Sequence, residues 1–298
     1  MSTDDGRIHL LQAQDLTLAY DKLEVAKDLS LSIPPGQITC IVGANACGKS
    51  TLLRALSRLL KPHKGSVLLD GESIHRMPTK EVARLLGILP QSPIAPEGIT
   101  VADLVARGRY PHQKWFRQWS TADEEVITDA MVVTGTLDLA ERPVDELSGG
   151  QRQRVWIAMA LAQGTDLMLL DEPTTFLDLA HQVEVLDLLV DLNRADGRTI
   201  VLVLHDLNHA CRYSHHLIAM RQGRLVAEGP PQQVVTETRV RDVFDLSCRV
   251  VPDPVTGTPM VVPIGRHCNI GGEKPAASGD EQSTELASQQ EQVHQGRA

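Results

Sequence analysis

The chain is predicted to be an α/β protein, and three features of its sequence carry that prediction. Short runs at 38–42, 167–170 and 200–204, apolar but for Thr39, read as strands buried on both faces. Stretches with helical spacing separate the later runs, which is the alternation of a parallel sheet. The first run leads at once into a glycine-bearing loop and then a helix. In chain order, residues 8–33 read as strands with turns: Leu29, Leu31 and Ile33 alternate with Ser30 and Ser32, and Pro34-Pro35-Gly36 ends the run. After the strand at 38–42 and its loop, Leu52, Leu53, Leu56, Leu59 and Leu60 fall at helical spacing until Lys61-Pro62 stops them. Residues 92–146 turn helical and polar, as an inserted subdomain would, and hold Tyr110, Trp115, Phe116 and Trp119. Those aromatics fit either a small core of the insert or a docking surface. From Leu147 onward the order is helix, strand, helix, strand. Residues 271–298 carry only Leu286 and Val293 as large aliphatic side chains, so a disordered hydrophilic tail is expected there.

Composition narrows the function. With 298 residues, 42% of them hydrophobic and 22% charged, the chain has enough apolar material for a sizeable core in one or two domains. Lysine and arginine total 29 against 38 acidic residues, a net charge of −9 that argues against nucleic acid as the main partner. The longest apolar runs are about a quarter of the length of a membrane-spanning helix. The chain opens on Ser2, Thr3, Asp4 and Asp5, without the basic flank and apolar stretch of a secretory signal, so a cytoplasmic location is expected. Five cysteines with no C-x-x-C spacing suggest reduced thiols rather than a disulfide framework or zinc cage.

The most specific motif is Gly43-Ala44-Asn45-Ala46-Cys47-Gly48-Lys49-Ser50, which fits G-x-x-x-x-G-K-[ST] between a buried strand and a helix start. Gly43 and Gly48 let backbone N–H groups curl around a phosphate, and the helix dipole adds to their field. Lys49 is expected to reach the β- and γ-oxygens of a nucleotide, Ser50 to ligate Mg²⁺ and Thr51 to bond the α-phosphate. Cys47 reads as a small side chain packed under the loop or as a redox switch.

Two other strands end in polar groups, and in open parallel sheets ligands bind beyond the carboxyl ends of strands. The run at 167–170 ends in Asp171-Glu172-Pro173, either a polar turn after a strand or, as its place downstream of a phosphate loop favours, a Mg²⁺ holder in Asp171 and a residue that positions attacking water in Glu172. The run at 200–204 ends in His205, either a satisfied core histidine or a γ-phosphate sensor. Leu147-Ser148-Gly149-Gly150-Gln151 opens a further helix, where Ser148 and Gln151 form a capping box and the same geometry makes an anion site. Two phosphate-binding helix starts but one phosphate loop suggest that two copies, related by two-fold symmetry, complete each other's sites.

Taken together, these motifs resemble the nucleotide-binding subunit of ATP-binding cassette (ABC) transporters over residues 10–261. The resemblance implies a P-loop NTPase core with an N-terminal antiparallel β subdomain and an inserted α-helical subdomain. It implies a nucleotide-binding domain at 8–265, with 92–146 as the helical insert. Gly43 to Ser50 is similar to Walker A, Leu147 to Gln151 to the signature sequence and Leu167 to Glu172 to Walker B. Asp178 corresponds to the D-loop, Gln91 to the Q-loop and His205 to the switch histidine. The resemblance assigns catalysis to Glu172, His205 and Gln91, and Mg²⁺ to Ser50, Gln91 and Asp171. Ser148, Gly149, Gly150, Gln151 and Asp178 would contact ATP bound to the partner copy. Tyr20 holds the place of the adenine-stacking aromatic, with a core tyrosine as the alternative. Implied partners are a second copy in the ATP-bound state, an integral membrane permease and, through it, an extracytoplasmic binding protein, with the chain peripheral on the cytoplasmic membrane face.

A narrower resemblance, to the ATPases of bacterial iron(III)-siderophore importers, rests on three segments. They are Arg107-Gly108-Arg109-Tyr110-Pro111-His112-Gln113, the Ala46-Cys47 pair, and Asp171 to Asp178 followed by His181-Gln182. It shades into cobalamin and haem importers, and a soluble cassette ATPase of cluster assembly is the alternative outside transport.

Overall fold

The computed structural model describes residues 9–21, 23–113 and 120–265. The chain starts with β1 (Leu11–Tyr20), β2 (Leu23–Ile33), β3 (Ile38–Gly43), α1 (Lys49–Leu56), β4 (Lys64–Leu69) and β5 (Glu72–Ser73). It continues through α2 (Thr79–Leu85), β6 (Leu86–Leu89), α3 (Val101–Ala106), α4 (Thr121–Val133), α5 (Gly149–Ala162), β7 (Leu167–Asp171), α6 (Leu179–Asp196) and β8 (Thr199–Val203). Last come α7 (Leu207–Tyr213), β9 (His216–Arg221), β10 (Arg224–Gly229), α8 (Pro231–Val234), α9 (Glu237–Phe244), β11 (Cys248–Pro252) and β12 (Pro259–Pro263).

A four-stranded antiparallel sheet, β2-β1-β4-β5, forms the amino-terminal layer. The central sheet has the order β10-β9-β3-β8-β7-β6, parallel except for the β9–β10 hairpin. Its strands alternate between two cores, which is why they read as unbroken apolar runs. Ile41, Leu169, Val201, Val203 and Ile218 face a core shared with α1 and the antiparallel sheet, including Leu16, Leu29, Leu52 and Leu56. Cys40, Val42, Met168, Leu170, Ile200 and Leu202 face the other core, with Val155, Ile157, Leu186 and Leu189. Burial pushes the Cys40 and Cys211 thiols up to about 12, and Cys40, Cys47, Cys211 and Cys248 are all free thiols. Among the described residues, no helix is long and apolar enough to cross a membrane.

Three expectations are modified. The first helix ends at Leu56 rather than Leu60: Ser57 donates to the Arg54 carbonyl at 3.1 Å and Arg58 turns left-handed at φ 66°, so Leu59 is left exposed. The helical layer extends beyond residue 146, because α5 packs with α3 and α4. Of the four aromatics in 92–146, Tyr110 is exposed and does not join a core, while Trp115, Phe116 and Trp119 lie outside the described residues. The 271–298 expectation also lies outside them.

The Arg107 to Gln113 segment turns out to be a staple. Arg109 donates to Asp123 on α4 at 2.8 Å and to the Ala162 carbonyl of α5 at 2.9 Å, and His112 Nε2 lies 2.7 Å from the Gln163 carbonyl. Arg84 on α2 donates to the Pro111 carbonyl at 3.0 Å. A segment expected to speak for the substrate class thus ties α2, α4 and α5 together.

At the carboxyl end, Asp253 accepts two hydrogen bonds from Arg212 on α7, at 3.1 and 2.5 Å, and one each from the Val255 and Thr256 amides. The Arg212 hydrogen bond, with those amides, holds the Asp253 carboxyl below the usual carboxylate range. A folded-state value below the unfolded one contributes stability that is complete above the unfolded value and is lost as pH falls through the folded one. The urea midpoint of Asp253→Asn should therefore lie below that of the parent protein near neutral pH, and the gap should close below about pH 4. A gap independent of pH would show that the carboxylate charge contributes nothing there.

Candidate nucleotide and water-positioning site

The phosphate loop follows from the end of β3. Gly43 pairs with Met220 across the parallel sheet and takes φ 154°; a Cβ there would lie 2.2 Å from the Met220 carbonyl oxygen and 2.7 Å from Cys47 Sγ. No other residue type fits so close a backbone approach. The structure thus supports the packed reading of Cys47, which is buried beneath the loop. Asn45 and Ala46 are exposed at the crest, and the Cys47 amide donates to the Ala44 carbonyl at 3.3 Å. Lys49 is buried, with its ammonium donating to the Gly43 and Ala44 carbonyls, both at 3.0 Å. The N-cap of α1 is Gly48, at φ 101°, and no side chain caps this helix. By contrast α3, α4, α5, α6, α7 and α9 are capped by Thr100, Ser120, Ser148, Asp178, Asp206 and Thr236. The first amides of α1 and their dipole therefore face a cavity of about 580 Å³ lined by Asn45, Lys49, Ser50, Thr51, Gln91, Glu172 and His205, among others.

The parallel register brings the remaining polar groups to the same edge. Asp171 pairs with Val203, and Leu89 with Leu170, so the residues just beyond β6, β7 and β8 meet. Ser50 donates to Asp171 Oδ1 at 2.8 Å. Burial raises the Asp171 carboxyl above its ordinary value, the Ser50 hydrogen bond opposes this and the Glu172 charge adds to it. Glu172 is buried and left-handed at φ 53°, a conformation that aims its side chain from the strand end. Its Oε1 lies 2.6 Å from His205 Nε2, and its Oε2 accepts from Gln91 Nε2 at 2.5 Å and from the Thr175 hydroxyl at 3.1 Å. Both carboxylate oxygens are thus held by groups from three separate segments. The His205 side chain is 44% exposed, which excludes the core-histidine reading.

Tyr20 is 41% exposed and its hydroxyl accepts from Arg54 at 3.3 Å, so it is not a core tyrosine. Leu23 and Val25 on β2 supply apolar wall to the cavity, and no motif in the sequence marks them. Thr175 lies within the Asp171 to Asp178 segment, and its position three residues after Glu172 in a tight turn is the one sequence signal of its bond to that carboxylate.

Ser148, Gly149, Gly150, Gln151 and Asp178 do not line this cavity. Ser148 and Gln151 form the expected capping box, with bonds of 3.3 and 3.1 Å. Asp178 caps α6 through the His181 amide at 3.0 Å and lies 2.6 Å from His181 Nδ1. The His181 ring in turn covers Gly150, where a Cβ would fall 2.4 Å from the ring. The serine-headed helix and the Asp178 turn are therefore one unit. Both face solvent on the same chain that holds the phosphate cavity elsewhere.

Comparison with known proteins establishes the family. The family model for ABC transporters matches residues 26–175. The chain is 57% identical over 256 residues to the achromobactin transport ATP-binding protein of Dickeya dadantii (strain 3937), covering 86% of this chain and 95% of the relative. It is 56% identical over 256 residues to the ferric enterobactin transport ATP-binding protein of Escherichia coli (strain K12), covering 86% and 94%. A solved structure described as a metal-chelate type ABC transporter in an inward-facing conformation superposes with a TM-score of 0.75 at 29% identity, covering 87% of this chain and 98% of that one. A dimeric bacterial ABC transporter cassette gives 0.66 at 27% identity, covering 74% and 98%. The chain belongs to the ABC transporter family, as one of its ATP-binding, ATP-hydrolysing subunits.

Proposed function

We propose that two copies of this chain close head to tail over two ATP molecules, and that cleavage of these drives a membrane permease importing an iron(III)-siderophore. The observation that carries the catalytic part is the grip on Glu172: Gln91, Thr175 and His205 hold its carboxylate at the phosphate cavity. So held, the carboxylate accepts a proton from the water that attacks the γ-phosphorus. Lys49 and the α1 amides neutralise charge on the β- and γ-phosphates, and His205, while it holds Glu172, stands in the cavity wall beside the γ-phosphate. Tyr20 stacks on the adenine, while Asn45, Ala46 and Thr51 complete the cradle. The hydroxyl of Ser50, the carboxylate of Asp171 and the amide oxygen of Gln91 are hard oxygen donors of the kind Mg²⁺ takes, and the first two lie 2.8 Å apart. When bound there, Mg²⁺ would neutralise part of the charge of the triphosphate. Ser148, Gly149, Gly150 and Gln151 of one copy cap the triphosphate of the other, with Asp178 alongside; the dimeric state of the related cassette supports this arrangement.

Partner coupling is assigned to the region just after Gln91. A cleft of about 360 Å³ lies between residues 93–97 and α5, with Pro93, Pro96 and Trp156 as apolar wall and Glu97, Asp145 and Arg152 at its polar points. Ile94, on its lip, is 91% exposed. A short permease helix fits this cleft, so that movement of Gln91 with the nucleotide is transmitted to it. In this reading the chain is a peripheral subunit on the cytoplasmic membrane face, with a nucleotide-binding domain at 8–265 whose helical insert at 92–146 packs against α5. The substrate arrives from an extracytoplasmic binding protein and never touches the chain. The ferric-siderophore reading over cobalamin or haem rests on the relatives at 56–57% identity.

In the purified chain, Glu172→Gln should lower ATP turnover by about 10²–10⁴-fold while retaining ATP binding. Lys49→Ala should weaken ATP binding by roughly 10- to 100-fold, the worth of hydrogen bonds from a charged group. Wild-type turnover in Glu172→Gln would remove Glu172 from its role. With the permease reconstituted in vesicles, Ile94→Glu should abolish permease-stimulated turnover and uptake but leave basal turnover intact, and uptake at the parent rate would move docking elsewhere. Cells lacking this chain should lose ferric-siderophore uptake under iron limitation and keep cobalamin uptake; the reverse pattern would reassign the substrate.

A further inference from the structure

We propose that Asn208 is a positioning residue for His205, and that the β11–β12 hairpin acts through it as a clamp on the catalytic site. The proposal rests on the roles given above to His205 and Glu172.

His205 stands between β8 and α7, and Asp206, immediately after it, caps α7 by accepting from the His209 amide at 2.8 Å. The orientation of α7 therefore sets the direction from which His205 approaches Glu172. A seven-residue helix is too short to hold its own place and depends on tertiary ties. Two such ties run from one face of α7, at positions i and i+4, to the carboxyl-terminal hairpin. Asn208 Nδ2 donates to the Val261 carbonyl at 3.2 Å, and Asn208 Oδ1 accepts from the Val261 amide at 2.7 Å. Arg212 makes the two bonds to Asp253 described above. The hairpin is itself regular, with Val250 opposite Val261 and Pro252 opposite Pro259. Val261 is buried and presents both its backbone groups to the one asparagine.

Packing alone does not fix His205 on this side. A second cavity, of about 240 Å³, separates it from the hairpin and from α9; its walls include Leu207, Phe244, Leu246 and Pro263. His205 thus lines both the phosphate cavity and this one, and the nearer polar restraint on its helix is Asn208. Without that restraint the first turn of α7 is free to settle into the gap. Only a small displacement is needed to open the 2.6 Å contact between His205 and Glu172.

The test is a double-mutant cycle on ATP turnover by the full-length chain, using the parent, Asn208→Ala, His205→Ala and the double variant. Asn208→Ala should lower kcat by about tenfold or more with KM for ATP within about twofold, and should cause no further loss when His205 is already alanine. Parent turnover in Asn208→Ala beside a slow His205→Ala would overturn the proposal, and so would an equal loss in both backgrounds, which marks a purely structural residue. Parent turnover in His205→Ala would instead overturn the role of His205, and this proposal with it. Should Asn208→Ala not fold, Asn208→Asp keeps the acceptor for the Val261 amide and is read in the same two backgrounds by the same criteria.

Discussion

The register of four parallel strands is the constraint on which the site depends. With β3, β8, β7 and β6 side by side, Ile41 opposite Val203, Asp171 opposite Val203 and Leu89 opposite Leu170 bring the phosphate loop, the two carboxylates, His205 and Gln91 to one edge. A slip of one residue in any strand would exchange its two buried faces and turn the polar group at its end away. The two cores resist such a slip, since each strand carries apolar side chains matched to both layers. Packing energy and catalytic geometry are thus set by the same alternation.

Helix N-termini serve this chain in two ways. Six helices have one early amide satisfied by a capping side chain; α1, like the short α2 and α8, has none, and it is α1 that opens on the cavity lined by Lys49, Ser50 and Thr51. Ser148 belongs to the capped group, yet its helix start is exposed and backed by His181 against Gly150. Capping keeps that helix start ordered in a single chain, and the same hydroxyl and amides suit a phosphate offered by a second chain.

Much of this was legible in the residues. The strands were, because burial on both faces leaves a run that is apolar but for an occasional threonine such as Thr39; the phosphate loop was, because Gly43, Gly48 and Lys49 each meet a demand no other residue type meets at that place. The end of α1 was misread because Leu59 and Leu60 continue the helical spacing, and the left-handed turn falls on Arg58, with no glycine to mark it. The grip on Glu172 was only half visible. Thr175 lies only 3 residues downstream in the same turn, but Gln91 lies 81 upstream and His205 33 downstream, and only strand register makes those two neighbours of Glu172. The tie from Asn208 to Val261 left no local trace, since one partner is a backbone. The Arg107 to Gln113 segment teaches the opposite lesson: a family-like motif can be a structural staple.

The proposed site is one that neither copy completes alone, and association driven by ATP is the direct consequence of that proposal. Light scattering on Glu172→Gln, which holds ATP without cleaving it, measures that association. Saturating Mg·ATP should convert the protein from the mass of one chain to that of two, and Ser148→Arg added to the same background should return it to one. A single-chain mass with ATP demonstrably bound, or a dimer indifferent to Ser148→Arg, would contradict the shared site.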